Sequence, residues 1–299
     1  MRQPRLLCSL LLTLVLACQF CLASLAQAAQ PSGIVLVAFG TSVDAARSSL
    51  QAVEAAYAKA YPGTPLIWAY TSDTIRTKLA REGQKVFSVR EALDECARLG
   101  IVDVRVQSLH ITPGEEFSQL QRLLVRYVTL YPTRFDHVWL GHPLLESSRD
   151  LEDVLCAVMD SLPATRTARD AVVLMAHGNS RGPGDLTLAC VATAFNTSDP
   201  RVFLATVEGA NGFAELVPVL EDQHPARVYL QPFMLVAGDH ARNDLAGEDS
   251  SSWASQLKAR GLAVEACLTG LGTLPGIQHI FVRHTAETTD DLVHPAKTF

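Results

Sequence analysis

The sequence predicts an α/β fold of two similar, doubly wound domains, whose mainly parallel sheets enclose a central cleft. Short β-branched runs typical of buried strands alternate with helical patterns, which favours parallel sheets covered by helices. The order of these runs recurs in the second half of the chain, which indicates a duplicated unit. With 299 residues, 48% of them hydrophobic, the chain can form two ordinary domains. We expect a leader at 1–28 and domains at 29–165 and 166–299.

The first 28 residues have the features of a secretory signal peptide. Arg2 and Arg5 precede the apolar run "LLCSLLLTLVLACQFCLASL", and "AQA" at 26–28 supplies the small residues of a cleavage site. Polar residues interrupt the run, so cleavage is favoured over a membrane anchor, which needs about 20 unbroken apolar residues. Lipid attachment at Cys18 is the further alternative. We therefore expect a periplasmic protein without a stable membrane span after cleavage.

Charge and cysteine content narrow the class of protein further. The net charge is −6, and the sequence has no basic tract, which argues against a nucleic-acid partner. Outside the leader, Cys96, Cys156, Cys190 and Cys267 lie far apart in apolar surroundings. This setting predicts buried free thiols, with one or two disulfides as the alternative in an exported protein.

Three pairs of segments carry the internal repeat, each in the same order in both halves. The first pair reads as a strand, a glycine turn and the start of a helix. The second pair aligns Gln107 with Gln231, and the third is looser. The pairs are "GIVLVAFGTS" (33–42) with "AVVLMAHGNS" (171–180), "DVRVQSLHITPGEE" (103–116) with "ARVYLQPFMLVAGDH" (226–240), and "VWLGHPLLESSRDLEDVL" (138–155) with "CLTGLGTLPGIQHIFV" (267–282).

Helical periodicity between these segments predicts the helices that cover the sheets. Apolar residues recur at helical spacing, and proline or glycine follows the last turn of several patterns. The predicted helices are "SLQAVEAAYAKAY" (49–61), "SVREALDECARLG" (88–100), "EFSQLQRLLVRYVTLY" (116–131) and "SSWASQLKARG" (251–261).

Polar residues at the carboxyl ends of the predicted strands indicate a metal site, because ligands of such sheets bind at that edge. In the second half these ends deliver His177, Glu208 and His240. Each alone is more often a structural residue, but two imidazoles and a carboxylate together suit Co²⁺, Fe²⁺, Ni²⁺ or Zn²⁺. At the equivalent places of the first half, Phe39 replaces His177 and Glu116 replaces His240.

The asymmetry between the halves predicts a cleft with one apolar wall and one metal-binding wall, suited to a flat, conjugated ligand. Three arginines near the strand ends are candidates for binding acidic substituents of that ligand. They are Arg76, Arg181 and Arg242.

Across about residues 33–284 the chain resembles the anaerobic-pathway (class II) sirohydrochlorin cobaltochelatases. The resemblance rests on "LVAFGTS", "AYTSDTIRTKL", "VQSLHITPGEEF", "MAHGNS", "VEG", "QPFMLVAGDHARND" and "GLGTLPGI". It implies two similar α/β domains around a cleft. It also implies a lyase that inserts Co²⁺, and often Fe²⁺, into sirohydrochlorin without ATP or an organic cofactor, in cobalamin and tetrapyrrole biosynthesis.

The resemblance also implies roles for individual residues. His177, Glu208 and His240 would bind the metal, with His177 as the proton acceptor. The tetrapyrrole pocket would be lined by Phe39, Thr41, Ser42, Ser72 and Asn179. The leader departs from the family, most of whose members are cytoplasmic. We further expect a homo-oligomer.

Two other functions fit parts of the sequence. An exported carrier of metal or tetrapyrrole, haem included, could use the same fold without catalysis, and turnover would separate the two. A hydrolase acting through "AHGNS" is disfavoured, because the G-x-S-x-G nucleophile turn is missing.

Overall fold

Two four-stranded parallel sheets form the framework of the protein. The structure, a computed structural model, describes residues 31–178, 183–209 and 211–296. The first sheet has the order β2-β1-β3-β4 and the second the order β6-β5-β7-β8. Their strands are β1 Ser32–Ala38, β2 Leu66–Tyr70, β3 Asp103–Ser108, β4 His137–Gly141, β5 Ala171–Ala176, β6 Val202–Thr206, β7 Val228–Pro232 and β8 Val264–Ala266. The identical order confirms the predicted fold class and the duplicated plan.

The strand register reproduces the sequence repeat residue by residue. In the first sheet Leu36 on β1 lies opposite Gln107 on β3. In the second sheet Leu174 on β5 lies opposite Gln231 on β7. Both glutamines are buried, so the alignment of Gln107 with Gln231 corresponds to one position of the duplicated unit.

Helices connect the strands and cover both faces of each sheet. In the first half they are α1 Arg47–Ala60, α2 Asp73–Arg81, α3 Val89–Arg98, α4 Glu115–Leu130 and α5 Ser148–Asp160. In the second half they are α6 Pro183–Ser198, α7 Phe213–Gln223, α8 Trp253–Ala259 and α9 Pro275–Glu287. Short helical turns occur at Asp44–Ala46, Ala241–Leu245 and Leu271–Thr273.

The four helices predicted from periodicity correspond to α1, α3, α4 and α8. The start of α3 shows why the local sequence was enough to predict these helices. Ser88 and Glu91 form a reciprocal capping box at its N-terminus. After its last turn the chain reaches Gly100 with a φ of 71°, a left-handed conformation that glycine adopts without strain.

The last helix joins the two halves. Helix α9 packs against α1 and α5 and also contacts β3 and β4 of the first sheet. At Gly276 of α9 an added Cβ would lie 2.7 Å from the Cβ of Ala157, so α9 and α5 approach closely there. One hydrophobic core therefore contains side chains from both sheets, among them Leu36 and Leu174. The predicted division near residue 165 falls between α5 and β5 in sequence, but α9 of the second half packs against the first.

Two details of the strands do not follow from the apolar pattern. The run "YLQPFMLVA" at 229–237 is almost wholly apolar, as in a buried strand, yet β7 ends at Pro232. Beyond Pro232 the chain pairs instead with the helical turn at 271–273. The backbone N–H groups of residues 271 and 272 donate to the carbonyls of Met234 and Leu235, at 2.8 and 2.9 Å. In the third repeat pair, strand β8 precedes the matched segment 267–282 instead of opening it.

The cysteines are free, as expected, but they are not all buried. Cys96 is buried, and its burial raises the pKa of the thiol to about 12. Cys156 and Cys190 are exposed because they lie on the outer sides of α5 and α6. No helix in the described part of the chain has the length and hydropathy that a membrane span requires.

Candidate metal-binding cleft

A cleft of about 450 Å³ lies at the carboxyl ends of the strands, with walls from both halves of the chain. This is the edge at which doubly wound sheets bind ligands. The cleft brings together six of the residues predicted for the site, which are Phe39, Thr41, Ser42, Ser72, His177 and His240. Asn179 and Arg181, also predicted for the site, lie outside the described residues.

His177 follows β5 directly, and its side chain is exposed to the cleft. Its Nδ1 lies 3.0 Å from the carbonyl oxygen of Gly178. Because a carbonyl oxygen only accepts hydrogen bonds, this contact places the ring proton on Nδ1. The Nε2 atom of His177 then carries the lone pair that can bind a metal or accept a proton.

His240 lies eight residues beyond β7, immediately before the helical turn Ala241–Leu245. Its Nδ1 lies 2.5 Å from Oδ2 of Asp244, so the carboxylate fixes the tautomer and makes Nε2 a better ligand. The rings of His177 and His240 have centroids 4.9 Å apart and planes at 82°. Two imidazoles, each with a free Nε2, therefore meet in one place.

Glu208 lies at the margin of the site. Its backbone N–H donates to the carbonyl of His177 at 2.9 Å, and a Cβ at Gly178 would lie 1.8 Å from the Glu208 carbonyl oxygen, so the two loops touch. The Glu208 side chain is exposed and outside the cleft lining. In the described part of the chain, His177, Glu208 and His240 do not form a group with all ligand atoms within 4.8 Å of one another. The role of Glu208 as a metal ligand stays a prediction.

Glu116, the second residue of α4, supplies a carboxylate on the opposite wall from β5 and lines the cleft with His177. Desolvation within the cleft raises the pKa of Glu116, while the charge of nearby His177 acts in the opposite direction. The sequence repeat had marked this position as the counterpart of His240, but Glu116 was not included in the predicted ligand set.

His110 is a second cleft residue that the sequence analysis had not assigned to the site. Its side chain is buried, with Nδ1 2.9 Å from the Ser108 hydroxyl. Burial lowers the pKa of His110 to about 4, so the ring is neutral at physiological pH. Among the described residues its Nε2 has no hydrogen-bond partner, and the ring lines the cleft beside Glu116.

The wall from the first half presents an exposed aromatic ring among apolar and hydroxyl-bearing side chains. Phe39 is 49% exposed, an unusual state for a large aromatic ring, and it lies beside Ile75, Leu109 and Ile111 in the cleft lining. Gly40 has a φ of 99°, and a Cβ there would lie 2.4 Å from the Tyr70 ring, so only glycine permits this turn. The turn leaves the Phe39 ring facing the cleft, available to a flat ligand.

The predicted arginines do not all reach the cleft. Arg76 forms ion pairs with Asp73 and, at 3.8 Å, with Glu91, and it lines a neighbouring pocket. Arg76 is absent from the lining of the cleft, and its binding of an acidic substituent of the ligand stays a prediction. Arg242 is half-buried in the turn after His240, and its Nε has no partner among the described residues.

Several known proteins are similar to this chain in sequence or in fold. Residues 32–290 match the cobalt chelatase (CbiK) family. The sirohydrochlorin cobaltochelatase CbiKC of Nitratidesulfovibrio vulgaris is 34% identical over 252 residues, which cover 84% of this chain and 88% of that protein. The sirohydrochlorin cobaltochelatase of Salmonella typhimurium is also 34% identical, over 88% of this chain and 98% of that protein. The structure of SirB from Bacillus subtilis with Fe³⁺ has a similar fold, with a TM-score of 0.57 at 16% identity, covering 86% of this chain and 95% of SirB.

Proposed function

Because the chain belongs to the cobalt chelatase family, we propose that it inserts Co²⁺ into sirohydrochlorin, with His177 and His240 holding the metal substrate. The protein is a metal chelatase, a lyase of tetrapyrrole and cobalamin biosynthesis. The observation that carries the assignment of residues is the convergence of the two imidazole rings, 4.9 Å apart, in the cleft between the halves.

The ligand set suits a metal that must be bound and then released. Two imidazoles leave coordination positions for water and for the ring nitrogens, whereas a closed set of four protein ligands would retain the ion. Asp244 holds His240 in the orientation in which Nε2 can bind. We therefore assign His240 to metal delivery, with Glu208 as a ligand that a movement of its loop would bring closer.

Insertion also requires that two pyrrole N–H protons leave the macrocycle, so the cleft needs two proton acceptors. His177 is one, because its Nε2 lone pair becomes free to accept a proton once the metal has passed to the ring nitrogens. Glu116 is the second, because its raised pKa makes the carboxylate a stronger base than an ordinary glutamate. The two residues line the same cleft from opposite walls.

The wall from the first half supports binding of the macrocycle. The exposed ring of Phe39 offers a flat face, and Thr41, Ser42 and Ser72 line the same cleft with hydroxyl groups. Sirohydrochlorin carries many carboxylates. Arg242, two residues after His240, has no hydrogen-bond partner for its Nε among the described residues and is the candidate to bind one of these carboxylates.

An anaerobic absorbance assay tests the proposed function directly. The protein is mixed with sirohydrochlorin and Co²⁺, and the spectral change of the macrocycle is followed against the uncatalysed reaction. Multiple turnovers above the uncatalysed rate support the chelatase. Binding of ring or metal without faster conversion would instead indicate a carrier built on the chelatase fold.

We predict that Glu116→Gln lowers kcat for cobalt insertion by about 100-fold, the lower end of the range for a general base. A base must be deprotonated to act, so the wild-type rate should rise with pH through the raised pKa of Glu116. The glutamine variant should lose that rise while keeping its KM for Co²⁺. A pH–rate profile measures both effects.

Glu115→Gln is the matched control, because Glu115 precedes Glu116 on α4 but lies outside the cleft lining and is paired with Arg122 at 2.8 Å. This variant should behave as the wild type. An unchanged profile in Glu116→Gln, or an equal loss in both variants, would exclude Glu116 as a proton acceptor.

We also propose that the protein is exported, although the leader lies outside the described residues. The basis is the charged start, apolar run and small-residue site at 26–28. N-terminal sequencing of protein from the periplasmic fraction should give a chain that begins near Ala29. Recovery of the intact chain with Met1 from the cytoplasm would contradict export, and a lipid-modified Cys18 would indicate anchoring instead.

A further inference from the structure

A second cluster of metal-binding side chains lies at the opposite edge of the first sheet from the cleft. His137 is the first residue of β4, at the amino end of the strand. After α9 the chain returns along β4, with Leu140 N–H donating to the Asp290 carbonyl and Leu292 N–H donating to the Val138 carbonyl, both at 2.9 Å. This pairing places residues 291–294 beside His137.

His137, Asp291 and His294 each direct one ligand atom toward a common point. These three atoms lie within 4.8 Å of one another, and no other such group of three occurs among the residues that the structure describes. His137 Nδ1 is 2.7 Å from Asp291 Oδ2, and the rings of His137 and His294 have centroids 5.4 Å apart. The spacing is compact enough for one ion after small side-chain movements.

Other contacts orient two of the three ligands in advance. Asp291 is buried, and its Oδ1 accepts hydrogen bonds from the backbone N–H groups of Val293 at 3.0 Å and Val138 at 3.3 Å. This leaves Oδ2 facing His137. The His137 ring stacks on Trp139, with centroids 5.2 Å apart and planes at 22°. Supporting contacts of this kind are typical of metal sites, where they hold ligands in the binding orientation.

We propose that His137, Asp291 and His294 form a second divalent-metal site, distinct from the cleft, that takes Zn²⁺. Two imidazoles and one carboxylate suit Zn²⁺, which binds in four-coordinate geometry, and water can supply the fourth ligand. The ion takes the place of the hydrogen bond between His137 Nδ1 and Asp291 Oδ2, and the neutral imidazole then carries its one ring proton on Nε2. His294 is exposed, so the site is accessible to the ion.

Metal binding at this cluster would fasten the C-terminal segment across β4, the edge strand of its sheet. The segment follows α9, which joins the two halves, so the ion would also secure that helix. An edge strand covered in this way is protected from pairing with other chains. The site thus has a structural role and takes no part in metal insertion.

The test uses untagged protein with His177→Ala and His240→Ala, so that the cleft histidines do not contribute. Titration calorimetry with Zn²⁺ should show about one equivalent bound, and adding His294→Ala should weaken binding at least about tenfold, as loss of a ligand requires. His279→Ala, an exposed histidine on α9, is the matched control and should leave the affinity unchanged.

Amide hydrogen exchange gives a second readout. Zn²⁺ should slow exchange in residues 288–296 of the protein that retains His294, and should not do so after His294→Ala or Asp291→Asn. Absence of a stoichiometric Zn²⁺ site in the protein with intact His137, Asp291 and His294 would overturn the proposal. Equal binding with and without His294 would also overturn it. Because these readouts do not depend on sirohydrochlorin turnover, they are separate from the test of the proposed function.

Discussion

Replacing His177 by alanine should lower kcat for cobalt insertion by about 100- to 10,000-fold, the range expected for loss of a general base. The Gly178 carbonyl fixes the ring proton on Nδ1, so Nε2 is the atom that accepts a pyrrole proton. In the alanine variant water must accept it, in a cleft whose geometry is otherwise retained. Stopped-flow absorbance with sirohydrochlorin and Co²⁺ under anaerobic conditions measures the loss.

Comparison with His240→Ala separates the two roles. Because His240 is oriented by Asp244 and assigned to metal delivery, its loss should raise the KM for Co²⁺ more than it lowers kcat. The His279→Ala variant should be indistinguishable from the wild type. If His177→Ala retained more than about a tenth of the wild-type kcat, the assignment of His177 as general base would be wrong.

The second large effect is expected on stability: Arg283→Met should lower the free energy of unfolding by about 3–5 kcal/mol, the usual result of removing one partner of a buried ion pair. Arg283 is 9% exposed. It donates to Asp150 at 2.6 Å and to Asp153 at 2.5 Å, which links α9 to α5. Without it, the buried carboxylate of Asp150 keeps only its contacts with His284 and Ser147. Urea denaturation measures the change.

The same ion pair predicts a dependence of stability on pH. Burial pushes the pKa of Asp150 upward, but hydrogen bonds from Ser147, His284 and Arg283 outweigh burial and lower it. A carboxyl group whose pKa is lower in the folded state stabilises the protein above its unfolded-state pKa, and this contribution is lost as the pH falls through the folded-state value. In Arg283→Met the stability lost on acidification should therefore be smaller than in the wild type.

Arg260→Met is the matched control for Arg283→Met. Arg260 pairs with Glu221 at 3.3 Å on the surface, where both side chains are at least 40% exposed. Removing this pair should cost less than about 1 kcal/mol. Similar losses in the two arginine variants would show that the buried network does not hold α9 against α5.

Divergence of the two halves explains how one duplicated unit forms an asymmetric cleft. The turn after the first strand of each half carries Phe39 in one and His177 in the other, and both side chains line the cleft. The segment after the third strand carries Glu116 in one and His240 in the other. One half thus supplies an aromatic face and a carboxylate, and the other supplies two imidazoles. Metal and macrocycle can therefore approach each other from opposite walls.

The features that depend on local chemistry can be predicted from the sequence. The alternation of strand and helix, the repeat, the helix starts such as Ser88 and the positions of Phe39 and His177 after the central strands follow from periodicity and turn residues. These signals act over a few residues, so they can be read along the chain. Because the carboxyl ends of parallel strands meet at one edge, the convergence of His177 and His240 could also be predicted.

Which distant segments meet depends on tertiary packing. The end of β7 at Pro232 depends on pairing with the loop at 271–272, and the position of α9 depends on Arg283 reaching Asp150, 133 residues away in sequence. The ion pair of Arg76 with Glu91, and the meeting of His137 with the C-terminal segment, have the same origin. Such contacts depend on the packing of whole elements against one another, and no local pattern in the sequence records them.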